Sequence, residues 1–216
     1  MRVLVACEES QAVCKAFRAL GHEAYSCDIQ SCSGGFPEWH IQGDALEVLY
    51  VQPWDLVIAH PPCTYLTAAS AVRLFNNDHS IKDFERLKAG WAARDFFMKF
   101  YNAPAPMVAV ENPCPLKLFD LPPYTQIIEP FMFGDPWKKR TCLWLRGLPD
   151  LVPTDLVEPL GLWVGSTSGR SGTGRVKSGY VLASHRDQKI RSKTFPGIAA
   201  AMASQWSSFA VNKYLI

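Results

Sequence analysis

Residues 54–63 have the sequence WDLVIAHPPC, in which an apolar run ends at a Pro-Pro-Cys turn. A second apolar run, MVAV at residues 107–110, ends in the same way at Glu111 and Asn112. Short apolar runs bounded by turn residues predict buried parallel strands. Ligands of open α/β sheets bind beyond the carboxyl ends of such strands. We therefore expect Cys63 and Glu111 to face one cleft.

Apolar runs alternate with helical segments along the whole chain, which predicts an α/β fold with a mainly parallel, doubly wound sheet. A helix over Ser10–Leu20 is expected to stop at Gly21, and a capping box at Ser80 predicts a long helix to about Tyr101. Further helices are predicted over Asp44–Leu49 and from Ile198 to about Val211. The predicted strands are Arg2–Ala6, His22–Cys27, Trp54–Ala59, Met107–Val110, Thr125–Phe131 and Arg140–Leu145.

Composition limits the class of protein. The 216 residues are 48% apolar and 19% charged, which predicts a single domain over residues 1–216. The sequence contains no long uninterrupted apolar stretch and no signal-peptide pattern, so we expect a cytoplasmic protein that is not inserted in a membrane. The seven cysteines are odd in number and form no C-x-x-C pair, which argues against a metal site and against a disulfide framework.

Positive charge is concentrated in a Gly/Ser-rich segment at about 161–193, where seven Lys or Arg residues accompany one Asp. Such a segment has too little apolar area to order itself. It is either a solvated flexible loop or a phosphate-binding loop that becomes ordered on nucleic acid.

Several of these features, in this order, resemble the DNA cytosine carbon-5 methyltransferases, most closely the short phage-type members. The resemblance covers nearly the whole chain and implies a Rossmann-like, S-adenosylmethionine-dependent methyltransferase fold. It is carried by Asp28 after the second strand, Gly43-Asp44, Pro61-Pro62-Cys63, Val110-Glu111-Asn112, Arg140 and Pro196-Gly197-Ile198-Ala199.

The resemblance implies a catalytic set of Cys63, Glu111 and Arg140. Cys63 would add to carbon-6 of cytosine, since carbon-5 alone is too weak a nucleophile to accept a methyl group. Glu111 would bind N3 and the exocyclic amine, and Arg140 or its neighbour Lys139 would face O2. The alternatives are that Cys63 is a packed thiol, that Glu111 is a surface carboxylate, and that Arg140 and Lys139 belong to a solvated basic cluster.

S-adenosylmethionine is the cofactor that the resemblance implies. Asp28 would accept hydrogen bonds from its ribose and Asp44 from its adenine amine. The first turn, residues 7–11, has the sequence CEESQ and lacks the usual glycines. Glu8 or Glu9 would face the positive methionine end, or would simply favour the start of the first helix. The implied cofactor-binding residues are Cys7, Glu8, Glu9, Asp28, Asp44 and Pro61.

DNA is the expected partner. The short segment between Leu148 and Ile198 leaves little room for a rigid recognition element, so we expect low sequence specificity or a partner subunit that supplies it. Tyr65, Thr67 and Ser70 are expected in a closing loop. The same chemistry on RNA or a free pyrimidine nucleotide, and a catalytically idle nucleic-acid-binding or decoy protein, stay open as alternatives. The expected substrate-binding residues are Pro62, Tyr65, Asn112, Lys139, Arg170, Arg175 and Lys177.

Overall fold

The computed structural model describes residues 1–159, 162–163 and 192–214. The strands are β1 (Arg2–Ala6), β2 (Glu23–Asp28), β3 (His40–Gln42), β4 (Leu56–Ala59), β5 (Met107–Asn112), β6 (Gln126–Ile128), β7 (Trp137–Lys138), β8 (Thr141–Arg146) and β9 (Leu162–Trp163). The α-helices are α1 (Ala12–Ala19), α2 (Ala45–Val51), α3 (Ala71–Leu74), α4 (Phe84–Tyr101) and α5 (Pro196–Tyr214).

Seven strands form one sheet in the order β3-β2-β1-β4-β5-β8-β6. The neighbours from β3 to β5 pair in parallel, whereas β8 is antiparallel to both β5 and β6. Strands β7 and β9 form a separate parallel pair. The order reverses between β1 and β4, which is the place where open α/β sheets leave a crevice beyond their strand ends.

Helices cover both faces of the sheet, because the central strands are apolar on both sides. Val3 and Val5 of β1 belong to the core under α1 and α5, whereas Leu4 and Ala6 belong to the core under α2 and α4. Such continuous apolar strands are typical of parallel sheets buried on both faces. The prediction of a mainly parallel, doubly wound α/β fold is therefore confirmed. None of the helices in the described ranges is both long and apolar enough to cross a membrane.

The structure corrects three details of the predicted elements. Helix α4 begins after Asp83, whose Oδ1 accepts the backbone N–H of Arg86 at 2.8 Å, so the cap is not Ser80. The hydroxyl of Ser80 instead donates to Asp78. The edge strand β3 was not predicted, and the strand expected over Thr125–Phe131 is limited to the three residues of β6.

Candidate active site

The two turns singled out in the sequence lie side by side. Strands β4 and β5 are parallel neighbours with Ala59 opposite Val110, so the Pro-Pro-Cys turn and Glu111 emerge at the same edge of the sheet. Cys63 is half-buried, and its carbonyl accepts the backbone N–H groups of Leu66 and Thr67 at 3.1 and 3.0 Å. The nucleophile predicted from the sequence therefore lies on an ordered turn next to the strand that carries the predicted acid.

Hydrogen bonds tie these two segments together. The side-chain Nδ2 of Asn112, which is almost completely buried, donates to the carbonyl of Pro61 at 2.8 Å. Beyond the strand ends, Ala68 N–H donates to Cys114 O at 2.9 Å and Leu116 N–H donates to Leu66 O at 2.7 Å. The segment after Cys63 and the segment after Glu111 are thus held as one unit.

Glu111 contacts His60, a residue outside the catalytic set that the resemblance implies. His60 Nδ1 lies 3.2 Å from Glu111 Oε2, and both side chains are largely buried. Burial raises the pKa of Glu111, but the hydrogen bond to His60 and the charge of Lys139 outweigh it and hold the pKa below its usual range. Glu111 is therefore a carboxylate at neutral pH. The one available signal for His60 was its place between a buried strand and Pro61.

Lys139, rather than Arg140, is the cation beside Glu111. Lys139 and Glu111 line the same small cavity as Thr194, and Lys139 Nζ lies 5.8 Å from the centre of the Phe195 ring. Arg140 is exposed, and its charge acts on Glu129 and Cys142. Of the two cations that the sequence left as alternatives, the structure brings Lys139 to the predicted acid.

The turn after β1 has a backbone that glycines usually supply. Cys7 and Gln11 have φ values of 59° and 58°, in the left-handed region that is uncommon for other residues. Gln11 is fully buried, and its side-chain amide donates to Phe36 O at 2.8 Å and accepts from Phe36 N–H at 3.1 Å. The glycine-free turn therefore keeps this conformation through packing and side-chain hydrogen bonds.

The two glutamates of this turn have different surroundings. Glu8 is buried, and its two carboxylate oxygens accept the backbone N–H groups of Val13 and Cys14 at 2.7 and 3.2 Å. Burial raises the pKa of Glu8, and the nearby His60 partly counteracts this effect. Glu9 is also buried, but its Oε2 has no hydrogen-bond partner within residues 1–159, 162–163 and 192–214. Glu8 thus supports helix α1, while Glu9 presents an unpaired acceptor.

Two further carboxylates lie near Cys7. Burial raises the pKa of the Cys7 thiol, and the negative charges of Asp28 and Asp44 raise it further. One oxygen of Asp28 accepts Gln30 N–H at 2.9 Å, and one oxygen of Asp44 caps α2 by accepting Leu46 N–H at 2.8 Å. The acidic residues expected at the cofactor therefore gather beside the first turn.

The segment after Cys63 is anchored by Arg86 of helix α4 and by its own Ser70. Tyr65 is partly exposed, with the Arg86 guanidinium 5.0 Å from its ring centre, and Arg86 also donates to Thr64 O at 2.6 Å. The hydroxyl of Ser70 donates to the carbonyl of Thr67 at 2.8 Å. Tyr65 is therefore the member of the expected closing loop that presents a ring at the surface.

Three of the expected substrate-binding residues, Arg170, Arg175 and Lys177, lie outside the described residues. Within the described ranges, no group of three or more His, Cys, Asp or Glu residues is arranged to hold a metal ion. A separate surface cavity of about 460 Å³ lies beside α1 and includes none of the predicted site residues. It is lined by Lys15, Arg18, Ala19, Gly21, His22, Phe36 and Trp39.

No protein-family model matches this chain, and no curated protein matches it. Among solved structures, it is similar to a presumed DNA modification methyltransferase encoded within a prophage of E. coli. The two sequences are 12% identical, and the TM-score is 0.45. The alignment covers 76% of this chain and 53% of that protein, so the matched region spans about half of that protein's length.

Proposed function

We propose that this protein is a DNA cytosine carbon-5 methyltransferase that uses S-adenosylmethionine and has little sequence specificity of its own. The observation that carries the proposal is the junction of the two strand ends. Cys63 and the buried carboxylate Glu111 follow neighbouring parallel strands, and the Asn112 side chain joins these segments through Pro61 O at 2.8 Å. A nucleophile and a carboxylate held by one rigid unit can act on opposite parts of one pyrimidine ring.

In the proposed reaction, the thiolate of Cys63 forms a bond to carbon-6 of the target cytosine. The electron pair of the 5,6 double bond moves toward carbon-5, which becomes nucleophilic enough to accept a methyl group. After methylation, loss of the carbon-5 proton to a base re-forms the double bond and expels the Cys63 thiolate. Covalent catalysis of this kind divides one difficult substitution into easier steps. A base inside a duplex has to leave the stack before this chemistry can begin.

Glu111 and Lys139 would stabilise the charge that develops in the ring. As a carboxylate, Glu111 can only accept hydrogen bonds, so it would accept from the exocyclic amine and from N3 when that atom is protonated. Lys139, which lines the same small cavity as Glu111, would face the carbonyl oxygen. These contacts accelerate the reaction to the extent that they strengthen as the thiolate adds.

The first turn fits the proposed cofactor. The Oε2 of Glu9, which has no hydrogen-bond partner among the described residues, is a buried acceptor for a cationic group, and S-adenosylmethionine carries an ammonium and a sulfonium. Asp28 and Asp44, which act on the same Cys7 thiol, would accept from the ribose hydroxyls and the adenine amine. When bound, the cofactor supplies an electrophilic methyl group. The positive φ angles of Cys7 and Gln11 give the turn the left-handed backbone conformation that glycines normally provide.

Covalent trapping tests this proposal. The protein is incubated with labelled S-adenosylmethionine and 5-fluorocytosine, offered as duplex DNA, single-stranded DNA, RNA and free nucleotide. Because fluorine cannot leave carbon-5 as a proton does, the enzyme stays bonded to the ring and migrates with it on a denaturing gel. We expect an adduct with DNA and none with nucleotide. An adduct with RNA or nucleotide alone would shift the function to those substrates.

The matched pair of variants for this assay is Cys63→Ser and Cys32→Ser. The first is expected to abolish the adduct and to lower methyl transfer by at least about 1,000-fold, since a hydroxyl is a far weaker nucleophile. Cys32 is also half-buried but lies outside both turns, so Cys32→Ser should keep the activity. No adduct with any substrate, despite measured cofactor binding, would refute the proposed chemistry and favour an idle nucleic-acid-binding protein.

A further inference from the structure

His60 occupies the position between the first turn and the predicted acid. It follows β4 directly, and its backbone N–H donates to Ala6 O at 3.0 Å, which extends the pairing of β4 with β1. Its side chain is 9% exposed, and Nδ1 lies 3.2 Å from Glu111 Oε2. The imidazole ring of His60 is therefore held in one position, because its backbone is bonded to Ala6 and its side chain is bonded to Glu111.

The charged groups around the His60–Glu111 pair come from three elements. Glu111 contacts it from β5, and Glu8 acts on it electrostatically from the first turn. Lys139, from the segment between β7 and β8, acts on the same Glu111 carboxylate. In the described part of the chain, His60 Nε2 is buried and has no hydrogen-bond partner. The side-chain hydrogen bond of His60 thus goes to one residue, the predicted acid.

The direction of this bond follows from the chemistry of its two ends. An ionised carboxylate has no proton to give, so Glu111 Oε2 accepts and the hydrogen must be on His60 Nδ1. A buried nitrogen without a partner, such as His60 Nε2 among the described residues, destabilises the folded protein. An apolar residue at this position would leave no buried nitrogen without a partner. A histidine here is favourable only if its bond to Glu111 is useful.

We infer that His60 is a positioning residue, which donates from Nδ1 to Oε2 of Glu111 and so fixes the carboxylate for its contacts with the pyrimidine ring. This inference rests on the proposed function for the identity of the ring. The bond uses one lone pair of Oε2, so Oε1 and the second lone pair of Oε2 stay free to accept from the exocyclic amine and N3 of the ring. Oriented groups of this kind matter because a displacement of about 1 Å in a reacting geometry can cost on the order of 100-fold in rate.

The test compares two substitutions at the same position. Asn can place its Nδ2 where the Nδ1 of His60 lies, so His60→Asn keeps a donor to Glu111 without a titratable ring. We expect kcat for DNA methylation to fall by about 100-fold in His60→Ala and by less than about 10-fold in His60→Asn. The KM for S-adenosylmethionine should stay the same in both variants. His79→Asn is the matched control at an exposed histidine and should behave as wild type.

Unchanged kcat in His60→Ala would overturn the inference. Equal losses of kcat in His60→Ala and His60→Asn would also overturn it, because restoring a hydrogen-bond donor to Glu111 would then have no effect on the rate.

A second measurement does not depend on activity. Long-range ¹H–¹⁵N spectra of the imidazole rings at neutral pH, assigned with the His60→Asn variant, report which nitrogen of His60 carries the proton. A proton on Nδ1 supports the inference, and a neutral ring with its proton on Nε2 overturns it. If wild-type protein forms no adduct with DNA, the proposed function fails, while these spectra still decide the His60–Glu111 contact.

Discussion

Asn112 offers the sharpest test of how the two halves of the candidate site are joined. Its side chain is 1% exposed, and its Nδ2 donates to Pro61 O across 51 residues of sequence. The Asn112→Ala variant removes this donor and leaves the Pro61 carbonyl buried. We predict a less stable protein in which the turn carrying Cys63 is no longer fixed to the strand carrying Glu111.

The magnitude follows from two opposing terms. An unsatisfied buried carbonyl costs about 1–3 kcal/mol. Against this, Asn112 Oδ1 is itself buried without a partner among the described residues, so its removal restores part of that amount. We therefore expect the free energy of unfolding to fall by about 1–2 kcal/mol, since the lost bond and the small cavity outweigh the relief. For a chain of this size, each kcal/mol corresponds to roughly 2–4 °C in Tm.

Urea denaturation followed by tryptophan fluorescence measures this change, with Asn76→Ala as the matched control. Asn76 also donates from Nδ2, to Ser80 Oγ at 2.9 Å, but this bond is exposed, so its loss should change stability by less than about 0.5 kcal/mol. Methyl transfer by Asn112→Ala should fall by about 100-fold at a temperature where the variant is fully folded. Equal stabilities of the two variants would refute the argument, as would unchanged activity in Asn112→Ala.

Two further predictions concern the charges at this site. The pKa of Glu111 lies below its ordinary value of 4.5, so its ionised form contributes stability that is fully present above pH 4.5 and is lost as pH falls through the folded-state pKa. Urea midpoints of wild type and Glu111→Gln are measured in steps from pH 7 to below the folded-state pKa. The difference between the two midpoints should shrink as pH falls, and a constant difference would contradict this prediction. Methylation assays of Lys139→Ala and Arg140→Ala should show a loss of about 10-fold or more in kcat for the first and less than about 3-fold for the second, because Lys139 acts on Glu111 while Arg140 is exposed. A larger loss in Arg140→Ala would return that residue to the catalytic set.

The sheet and the meeting of Cys63 with the Glu111 strand could be predicted because both depend on local signals. Apolar runs such as residues 56–59 and 107–110 have few alternatives to buried strands, and the carboxyl ends of parallel neighbours lie at one edge by geometry. The edge strand His40–Gln42 lacked such a signal, because its residues are only partly buried and its pairing depends on β2. The Ser80 cap failed for a related reason, since Asp83 provides an equally good cap three residues later.

The contact of His60 with Glu111 could not be predicted from the sequence, because it joins residues 51 positions apart through side-chain geometry alone. The choice between Lys139 and Arg140 is of the same kind. The two residues are adjacent, and whether a side chain faces the site or the solvent depends on the register of the short strand β7 and the start of β8. Local patterns thus fix which strand ends meet, and the packed structure decides which side chains meet there.

In the sequence, the lack of glycine in the first turn argues against a ligand site. The backbone conformation of the turn removes that objection. A residue other than glycine in the left-handed region costs roughly 1–2 kcal/mol, and this turn contains two, Cys7 and Gln11. Neither cost is needed to connect a strand to a helix, since glycine would remove both. The surrounding contacts maintain the conformation instead: Gln11 bonds twice to Phe36, and Glu8 accepts two N–H groups of α1. Strain that persists because the surroundings enforce it is typical of functional sites. The turn therefore holds a left-handed backbone without glycine, and it carries Glu9 Oε2, which is buried without a hydrogen-bond partner among the described residues.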